Sequence, residues 1–280
     1  MREALYYEVL DNKVHCMLCP HHCRISNDEI GKCGVRKNIH HKLYSMNYGK
    51  LSAIHVDPIE KKPIHQFMQN TNTLSIGSYG CNLSCSFCQN HSISKEAPKT
   101  IDKKPEEIVN LALEYNLPSI SYTYNEPTIY YEYMIDTAQL AQEKGLKNIV
   151  VTNGFIETEP LKHLLKFTDA MNIDLKTNEK KTYKEFCDGD VTPVKNAIRI
   201  AAAVCHVEVT TLMVTGMNDD LSQLQELFQW LSSVDQSIPL HLSRYFPRYQ
   251  YNQPATDIEF MKAAKKEADK YLSYVYLGNV

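Results

Sequence analysis

The sequence places three of its nine cysteines within eight residues, as Cys81, Cys85 and Cys88 in the segment GCNLSCSFCQN. Thiolates are the usual ligands of iron–sulfur clusters, and three of them can hold three irons of a [4Fe–4S] cube. No fourth cysteine follows at short range, so one iron would stay open to a ligand from outside the chain. Such an open position marks metal sites that are built for chemistry. The alternative is a zinc site completed by His91 or by a distant cysteine.

A second group of cysteines lies near the amino terminus, with the spacing C-x2-C-P-x2-C followed later by C-G. Its members are Cys16, Cys19, Cys23 and Cys33. Four thiolates are enough for a tetrahedral zinc ion or for a closed iron–sulfur cluster, and His21 or His22 could replace one of them. We interpret the group as a structural metal site, with zinc slightly favoured over iron–sulfur. An auxiliary redox cluster and four free thiols are the alternatives. Cys187 and Cys205 are predicted to be isolated structural thiols.

Composition and charge exclude several classes of protein. The 30 basic and 33 acidic side chains leave a formal net charge of −3, without the positive excess that binds nucleic acid or anionic membranes. No segment approaches the ~18 apolar residues of a membrane span. The first residues, MREALYYEVLDNK, carry charges where a signal peptide would be apolar. We therefore expect a cytoplasmic protein that binds neither nucleic acid nor membranes and whose reduced cysteines are available to metals.

The chain is predicted to have two parts. Residues 1–72 combine short alternating runs with Pro, Gly and Asn, which indicates a small, Cys-rich, β-containing subdomain. Residues 73–280 alternate strand patterns with helix patterns of ~10–16 residues, which is typical of βα units around a parallel sheet. About six such units fit into this length, two fewer than in a closed eightfold barrel. The expected fold class is α/β, a partial (β/α)6 barrel of TIM type.

Polar and charged side chains follow several of the predicted strands, in the segments YNEP, TNG, DLK and HLSRYFP. The candidate binding residues in these segments are Tyr124, Asn125, Glu126, Thr152, Asn153, Asp174, Lys176, His241 and Arg244. Parallel α/β sheets place their sites at the carboxyl ends of the strands. We therefore expect a single active site in which these residues surround the three clustered cysteines.

The segment GCNLSCSFCQN resembles the signature of the radical S-adenosylmethionine (SAM) superfamily, in its activating-enzyme branch. The resemblance implies a [4Fe–4S] cluster on Cys81, Cys85 and Cys88, with SAM on the open iron. It implies that one electron, from a donor of the flavodoxin or ferredoxin type, cleaves SAM to methionine and a 5′-deoxyadenosyl radical. This radical would abstract hydrogen from a substrate that no motif identifies, which would make the protein an oxidoreductase.

The same resemblance implies which residues hold SAM. Phe87 occupies the aromatic position of the cysteine motif, whose backbone lies against the adenine in relatives. Glu126 matches the acid of a Gly-Gly-Glu segment that binds the SAM amino group, although Tyr-Asn replaces the glycine pair here. Asp174 and Lys176 match an Asp-x-Lys that contacts SAM, and their spacing puts both on one face of a strand. TNG at 152–154 matches a Thr-Asn-Gly of the same enzymes.

Two positions depart from the pattern of pyruvate formate-lyase activating enzymes. Val151 stands where those enzymes carry an aspartate, which removes support for a monovalent-cation site. Thr210 stands where they carry an arginine, so an anionic group would need another partner. The candidates for this contact are Arg244 and His241, and the latter matches a SAM-contacting histidine of the relatives.

The joint pattern of C-x2-C-P-x2-C, G-x-C-G-V-R, DPIEKKP, GCNLSCSFCQN, TYNEPTI, TNG, IDLK and YLGN resembles the radical SAM enzyme of the AmmeMemoRadiSam system. This resemblance covers nearly the whole chain and implies MEMO-like and AMMECR-like proteins as partners. Two alternatives stay open: an activase that acts on a glycine of a partner protein, and a non-catalytic metal-binding adaptor. A barrel mouth open to a peptide would favour the activase, and a mouth sealed by residues 1–72 would favour a small substrate.

Overall fold

Short antiparallel strands open the chain in the structure, a computed structural model that describes residues 1–280. They are β1 (Arg2–Glu3), β2 (Tyr7–Leu10), β3 (Lys13–Cys16), β4 (Arg24–Ile25), β5 (Arg36–Ile39), β6 (Lys42–Ser45) and β7 (Lys50–Leu51). One three-stranded sheet has the order β1-β6-β5, and another has the order β2-β3-β4. Cys16 ends β3, and Cys23 lies directly before β4. The Gly, Pro and Asn residues of this part interrupt longer elements, because they favour turns.

The main sheet has eight strands. The remaining strands of the chain are β8 (Ala53–Pro58), β9 (Asn72–Gly77), β10 (Ile101–Asp102), β11 (Ser119–Tyr122), β12 (Lys147–Thr152), β13 (Ala170–Asp174), β14 (His206–Met213), β15 (Leu240–Arg244) and β16 (Val275–Gly278). All of them except β10, which pairs with β7, form the main sheet in the order β16-β15-β14-β13-β12-β11-β9-β8. Neighbours from β9 to β16 are parallel, and β8 is antiparallel to β9.

The two edge strands, β8 and β16, do not pair with each other, so the barrel is open. The predicted α/β class with a large parallel sheet is confirmed. The central strands are buried on both faces, as in Ser119–Tyr122, because helices cover the outside of a parallel sheet and side chains fill the inside. This arrangement brings the carboxyl ends of the parallel strands to one rim, where a site can form.

Helices alternate with the strands of the sheet. They are α1 (His91–Ser94), α2 (Pro105–Glu114), α3 (Tyr131–Glu143), α4 (Thr158–Leu164), α5 (Lys180–Cys187), α6 (Val191–Ala202), α7 (Leu221–Val234) and α8 (Ile258–Ala268), with 3-10 turns at Ile59–Lys61, Pro127–Tyr130 and Leu165–Phe167. Aspartates cap α6, α7 and α8, and Pro105 begins α2, as expected for helix starts. Gly145 follows α3 with a φ of +78°, a left-handed conformation that ends the helix. None of the helices combines the length and the hydropathy that a membrane crossing needs.

The amino-terminal strands share their core with the barrel. Val14 and Leu43 belong to the same cluster of buried apolar side chains as Ile120 of the central strand β11. Strand β8, which lies before residue 72, pairs along its whole length with β9. The division of the chain into parts 1–72 and 73–280 therefore remains a prediction about folding units, while the packing between the parts is continuous.

Candidate active site

A cleft of about 340 Å³ opens at the rim where the parallel strands end. Its wall combines the cysteine loop after β9 with polar residues that follow the next strands. The predicted site residues in this wall are Cys81, Cys85, Phe87, Cys88, Tyr124, Asn125, Glu126, Thr152, Asn153, Asp174 and Lys176. All the candidates for this site except His241 and Arg244 are thus brought together around one open space, as the strand-end argument predicts.

The cysteine loop is held in place by backbone contacts from other parts of the barrel. The Asn82 amide donates to the Phe155 carbonyl at 2.8 Å, and the Ser84 backbone N–H donates to the Cys187 carbonyl at 2.8 Å. The neighbouring Cys187 thiol and burial together raise the pKa of the Cys85 thiol. Cys187 is therefore not an isolated thiol, contrary to the prediction, because α5 packs directly against the loop.

The donor set of the cleft fits a cluster with three protein ligands. Cys85 is buried, whereas Cys81 and Cys88 are partly exposed, and burial raises the pKa of both. The Leu83 backbone N–H donates to the Cys81 sulfur at 3.4 Å. No fourth cysteine lines the cleft. His91, one of the two fourth ligands that the zinc alternative offers, stacks on Tyr249 outside the cleft wall.

The surroundings of Glu126 differ from those expected of a carboxylate that binds the SAM amino group, which is the role that the resemblance implies. Its buried carboxylate already accepts hydrogen bonds from the backbone N–H groups of Thr128 and Asn153, at 3.0 and 2.8 Å, and from the hydroxyls of Thr128 and Thr152, at 2.8 and 2.7 Å. Burial raises the pKa of this carboxyl group, and the four donors oppose the rise. Glu126 therefore fastens the loop after β11 to the loop after β12, and only part of its accepting capacity is left for a ligand.

Two asparagines connect the same loops to the cysteine loop. The Asn125 side chain accepts from the Ser78 N–H at 2.9 Å and donates to the Gly80 carbonyl at 3.1 Å. The Asn153 side chain donates to the Asn82 side chain at 2.9 Å. Because their polar atoms are used in this way, both residues shape the wall around the cysteines.

Asp174 and Lys176 form an ion pair at 2.9 Å in the cleft wall. Burial alone would lower the pKa of Lys176, but Asp174 and nearby thiols raise it well above its ordinary value. Lys176 therefore stays charged, and its ammonium group faces the same space as the cysteines. Thr210 lies in the same wall, where its hydroxyl donates to Asn172 at 2.9 Å.

His241 and Arg244 do not line the cleft, so the expectation that they contact SAM there is not supported. The Nε2 atom of His241 lies 2.6 Å from the buried carboxylate of Glu208 and is fully engaged below the rim. Arg244 donates through Nε to the Thr256 carbonyl at 2.9 Å, and its guanidinium packs over Phe246. His241 is thus bound to a partner in the interior of the barrel and Arg244 to one at its side. The spacing of residues along the sequence does not reveal these contacts.

The segment DPIEKKP contributes two lysines to the cleft wall, one of them almost fully buried. Lys62 is only 4% exposed, lies 2.7 Å from Asp57 and stands over the ring of Tyr124 at 4.5 Å from its centre. The Tyr124 hydroxyl also donates to Asp57, at 2.6 Å, and its backbone has a φ of +72°. Lys61 and Lys62 line the cleft and bring positive charge to it from the amino-terminal side. The charged motif was the only signal in the sequence for this contact.

The four amino-terminal cysteines meet at a second, much smaller cavity of about 20 Å³. All four of them line it, with His21 and Arg36 beside them. As they stand, neither these four cysteines nor the three of the cleft form a group that could hold a metal ion without rearrangement. His22 points elsewhere, since its Nε2 atom lies 2.7 Å from Glu157. The structure thus brings the four predicted thiols together at a place that is separate from the main cleft.

An open barrel of parallel strands with three cysteines in the first loop defines a radical SAM type of fold and site. Residues 75–231 match the family model of the radical SAM superfamily. The chain is also 45% identical to an uncharacterized protein of Methanocaldococcus jannaschii, MJ0808, over 100% of this chain and 86% of that protein. The chain belongs to the radical SAM superfamily, and its cofactors are a [4Fe–4S] cluster and SAM.

Two further similarities concern activating enzymes. A putative glycyl-radical enzyme activating enzyme of Methanocaldococcus jannaschii, MJ1227, is 26% identical over 72% of this chain and 87% of its own length. A crystal structure of a domain of pyruvate-formate lyase-activating enzyme from Bacteroides vulgatus superposes with a TM-score of 0.51 at 20% identity. It covers 57% of this chain and 99% of that domain, and the likeness supports the partial-barrel fold.

Proposed function

We propose that this chain is an oxidoreductase that holds its [4Fe–4S] cluster on Cys81, Cys85 and Cys88 and cleaves SAM reductively. The observation that carries the proposal is the composition of the cleft wall: three thiols lie beside an open space, with no fourth thiol to close the cluster. When bound, the reduced cluster and SAM supply methionine and a 5′-deoxyadenosyl radical that abstracts hydrogen from a substrate.

The other residues of the cleft bind parts of SAM or hold the cleft wall in place. The Lys176 ammonium group suits the carboxylate of the methionyl part of SAM, and the Asp174 carboxylate suits its ammonium group. Phe87 is 2% exposed and offers its backbone beside the cysteines, where adenine would lie. Glu126 acts mainly by fixing the loops that form the wall. A one-electron donor of the flavodoxin or ferredoxin type completes the system.

We further propose membership in the AmmeMemoRadiSam system, with MEMO-like and AMMECR-like proteins as partners. The support is the run of motifs across the whole chain, including DPIEKKP, whose Lys62 enters the cleft wall. To test this association, the reconstituted enzyme is mixed with each purified partner, and the rate of 5′-deoxyadenosine release is measured. A rate that neither protein changes, with no complex in size-exclusion chromatography, would contradict it.

The reductive cleavage itself is tested with anaerobically reconstituted protein. Dithionite serves as the electron source, and 5′-deoxyadenosine is measured by liquid chromatography and mass spectrometry. We expect product from the wild type, and a loss of at least ~100-fold in Cys85→Ala, because removal of one thiolate breaks the cluster's attachment. Cys205→Ala is the matched control, since Cys205 lies outside the cleft, and it should keep the wild-type rate.

A second candidate function is the activation of a partner protein by abstraction of hydrogen from one of its glycines. It is favoured by the activating-enzyme relative and by the size of the cleft, because a nucleotide-sized ligand would occupy most of ~340 Å³. The reacting group of the substrate would then have to enter from the open side of the rim. Electron paramagnetic resonance of the partner after turnover would reveal a protein radical if this function is correct.

A non-catalytic metal-binding adaptor is the remaining alternative. It requires that SAM leave the electron paramagnetic resonance spectrum of the reduced cluster unchanged. A SAM-dependent change in that spectrum, together with 5′-deoxyadenosine, excludes the adaptor. No change and no product would instead overturn the enzymatic proposal.

A further inference from the structure

The four amino-terminal thiols surround one small space that is separate from the main cleft. They are Cys16 at the end of β3, Cys19 in the turn after it, Cys23 directly before β4 and Cys33 in the loop before β5. Cys16 is buried and the other three are half-buried. The rest of the wall combines apolar side chains with glycine and with basic residues: Leu18, Ile25, Ile129, Gly31, His21, Lys32 and Arg36. The four cysteines are brought together from three separate backbone segments. Packing alone does not explain why cysteine stands at all four positions, since any small apolar side chain would fill them.

One polar group in this wall has no partner in the protein. Arg36 is 2% exposed and lines the cavity, and its buried Nε atom has no hydrogen-bond partner. Its other nitrogens are used: one donates to the Leu5 carbonyl at 3.0 Å and one pairs with Glu132 at 2.5 Å. An orphaned, buried N–H donor is costly unless an acceptor joins it. The positive charge of Arg36 interacts with Cys16 and Cys33. A thiolate sulfur of these cysteines is therefore the available acceptor for the Nε–H group of Arg36.

Burial raises the pKa of the Cys16, Cys19 and Cys33 thiols, so their free thiolates are disfavoured. The backbone N–H groups of Leu18, His21 and Val35, each two residues later in the chain, oppose this rise without cancelling it. The same relation occurs in the main cleft, where the Leu83 N–H donates to the Cys81 sulfur. A cation bound among the buried sulfurs would stabilise their ionised form.

From these observations we propose that Cys16, Cys19, Cys23 and Cys33 bind a single zinc ion. A cavity of about 20 Å³ is close to the space of one water molecule, which suits a single ion better than a cluster of four irons and four sulfides. Zinc takes four thiolates in a tetrahedron with Zn–S distances of about 2.3 Å. Binding requires the four side chains to rearrange, because as they stand they form no group that could hold a metal ion.

The zinc site lies directly behind the cysteine loop of the main cleft. The Cys33 carbonyl oxygen would be only 2.7 Å from a Cβ atom on Gly80, the residue before Cys81, and Gly80 has a φ of +85°. The Nε2 atom of His21 lies 2.6 Å from the Asn82 carbonyl oxygen. The loop that holds Cys81 therefore rests on the segment that the zinc ion would fix. Zinc bound here acts as a positioning element for the cluster loop and takes no part in the transfer of electrons.

The test counts metals in two forms of the full chain: the wild type, and the variant Cys81→Ala/Cys85→Ala/Cys88→Ala, which lacks the cluster ligands of the cleft. Both are purified without chelator and measured by mass spectrometry for zinc and iron, with a separate assay for acid-labile sulfide. We expect about one zinc per chain in each form, and iron and sulfide in the wild type alone. Because the variant cannot cleave SAM, failure of the proposed function and failure of the zinc site give different results.

The thiols are tested individually by Cys33→Ser in the triple-variant background, with Cys205→Ser as the matched control. We expect Cys33→Ser to lose the zinc at least ~10-fold more readily to a competing chelator, and the control to hold it like its parent. If Cys33→Ser does not fold, replacement of zinc by Co²⁺ in the parent gives the second readout, as intense sulfur-to-cobalt charge-transfer bands of a tetrahedral thiolate site. Iron with sulfide in the triple variant, a single iron in place of zinc, or no metal at all would each overturn the proposal.

Discussion

The two groups of cysteines in this chain differ in number, in surroundings and in free space. The cleft has three thiols, a polar and charged wall and a volume of about 340 Å³. The amino-terminal cavity has four thiols, a wall of apolar and basic side chains without carboxylates, and a volume of about 20 Å³. In the cleft the three thiols would leave one position of a metal centre for an outside ligand, and there is room for it. In the cavity the four thiols would supply every ligand of the proposed zinc ion.

The difference separates a cleft suited to ligand binding and chemistry from a cavity suited to stabilising the fold. Charged residues around the cleft, such as Lys176 and Asp174, face space that a ligand would fill. The two charged residues beside the cavity already have partners in the protein: Arg36 pairs with the buried Glu132 and Lys32 with Asp188. Changes near the cavity should therefore alter the stability of the fold, and changes in the cleft should alter the binding of SAM.

The largest effect is expected from Arg36→Met, next to the four-thiol cavity. This change leaves the Glu132 carboxylate buried without its partner, which typically costs about 3–5 kcal/mol in the free energy of unfolding. Urea unfolding followed by circular dichroism measures the cost. Arg2→Met is the matched control, because Arg2 is 58% exposed and its contact with Asp136 is 3.9 Å, so it should change stability by less than about 0.5 kcal/mol. Equal losses in the two variants would contradict a special role for the buried pair.

Glu126→Ala is expected to have the next largest effect and to combine both kinds of loss. It leaves four buried donors from three residues, Thr128, Thr152 and Asn153, without an acceptor, which should cost about 3 kcal/mol of stability. Formation of 5′-deoxyadenosine should fall as well, since two loops of the wall lose their connection. Glu159→Ala serves as the control, because Glu159 is an exposed member of a surface pair. Full stability of Glu126→Ala would show that water replaces the carboxylate.

Lys176→Met tests the cleft as a binding site. We expect the dissociation constant of SAM to rise about tenfold, which corresponds to about 1.4 kcal/mol, through loss of a charge-assisted hydrogen bond. The free energy of unfolding should change little, since Asp174 remains partly exposed to water. Isothermal titration calorimetry of the reconstituted protein measures the affinity, with Lys180→Met on the exposed face of α5 as the control. If Lys176→Met binds SAM as well as the wild type but unfolds more easily, Lys176 serves the stability of the fold and not the binding of SAM.

The smallest effect concerns pH and the pair of Asp57 and Lys62. Burial would raise the pKa of Asp57, but hydrogen bonds from Lys62 and Tyr124 outweigh it and lower the pKa to about 2. Because the folded pKa lies below the unfolded one, this pair stabilises the protein above pH ~4 and loses its effect as the pH falls towards 2. Lys62→Met should therefore be about 1 kcal/mol less stable than wild type at pH 6, and the gap should shrink by pH 3.

Lys61→Met is the control for this pH effect, since Lys61 is 67% exposed and 3.7 Å from Asp57. Its stability should follow that of the wild type at every pH. Urea unfolding of the three proteins at pH 6, 4 and 3 gives the comparison. A gap between wild type and Lys62→Met that stays constant with pH would mean that packing over Tyr124, and not the ion pair, stabilises this edge of the cleft.

The regular elements of the barrel were predictable because their signals are local. The run SISYTY predicts a strand, found as β11, and the pattern DDLSQLQELFQWLSS predicts a helix, found as α7. The gathering of eleven candidate residues in one cleft also followed from the sequence, since parallel strands end at one rim. The outcomes that were not predictable involve contacts between distant segments. His241 is drawn to Glu208, and Cys187 to Cys85, by packing that no spacing along the chain records.

The kinds of ligand and their order along the chain could be read directly from the residues: three thiols after the first strand of a βα series, four more ahead of it, and polar residues at successive strand ends. Which of these groups are still available to a ligand depends on the folded contacts. The Glu126 carboxylate already accepts four hydrogen bonds from its own chain, whereas Lys176, paired with Asp174, lines the open cleft. The physical reason is that every buried polar group must find a partner, and which partner it finds depends on segments brought together by folding.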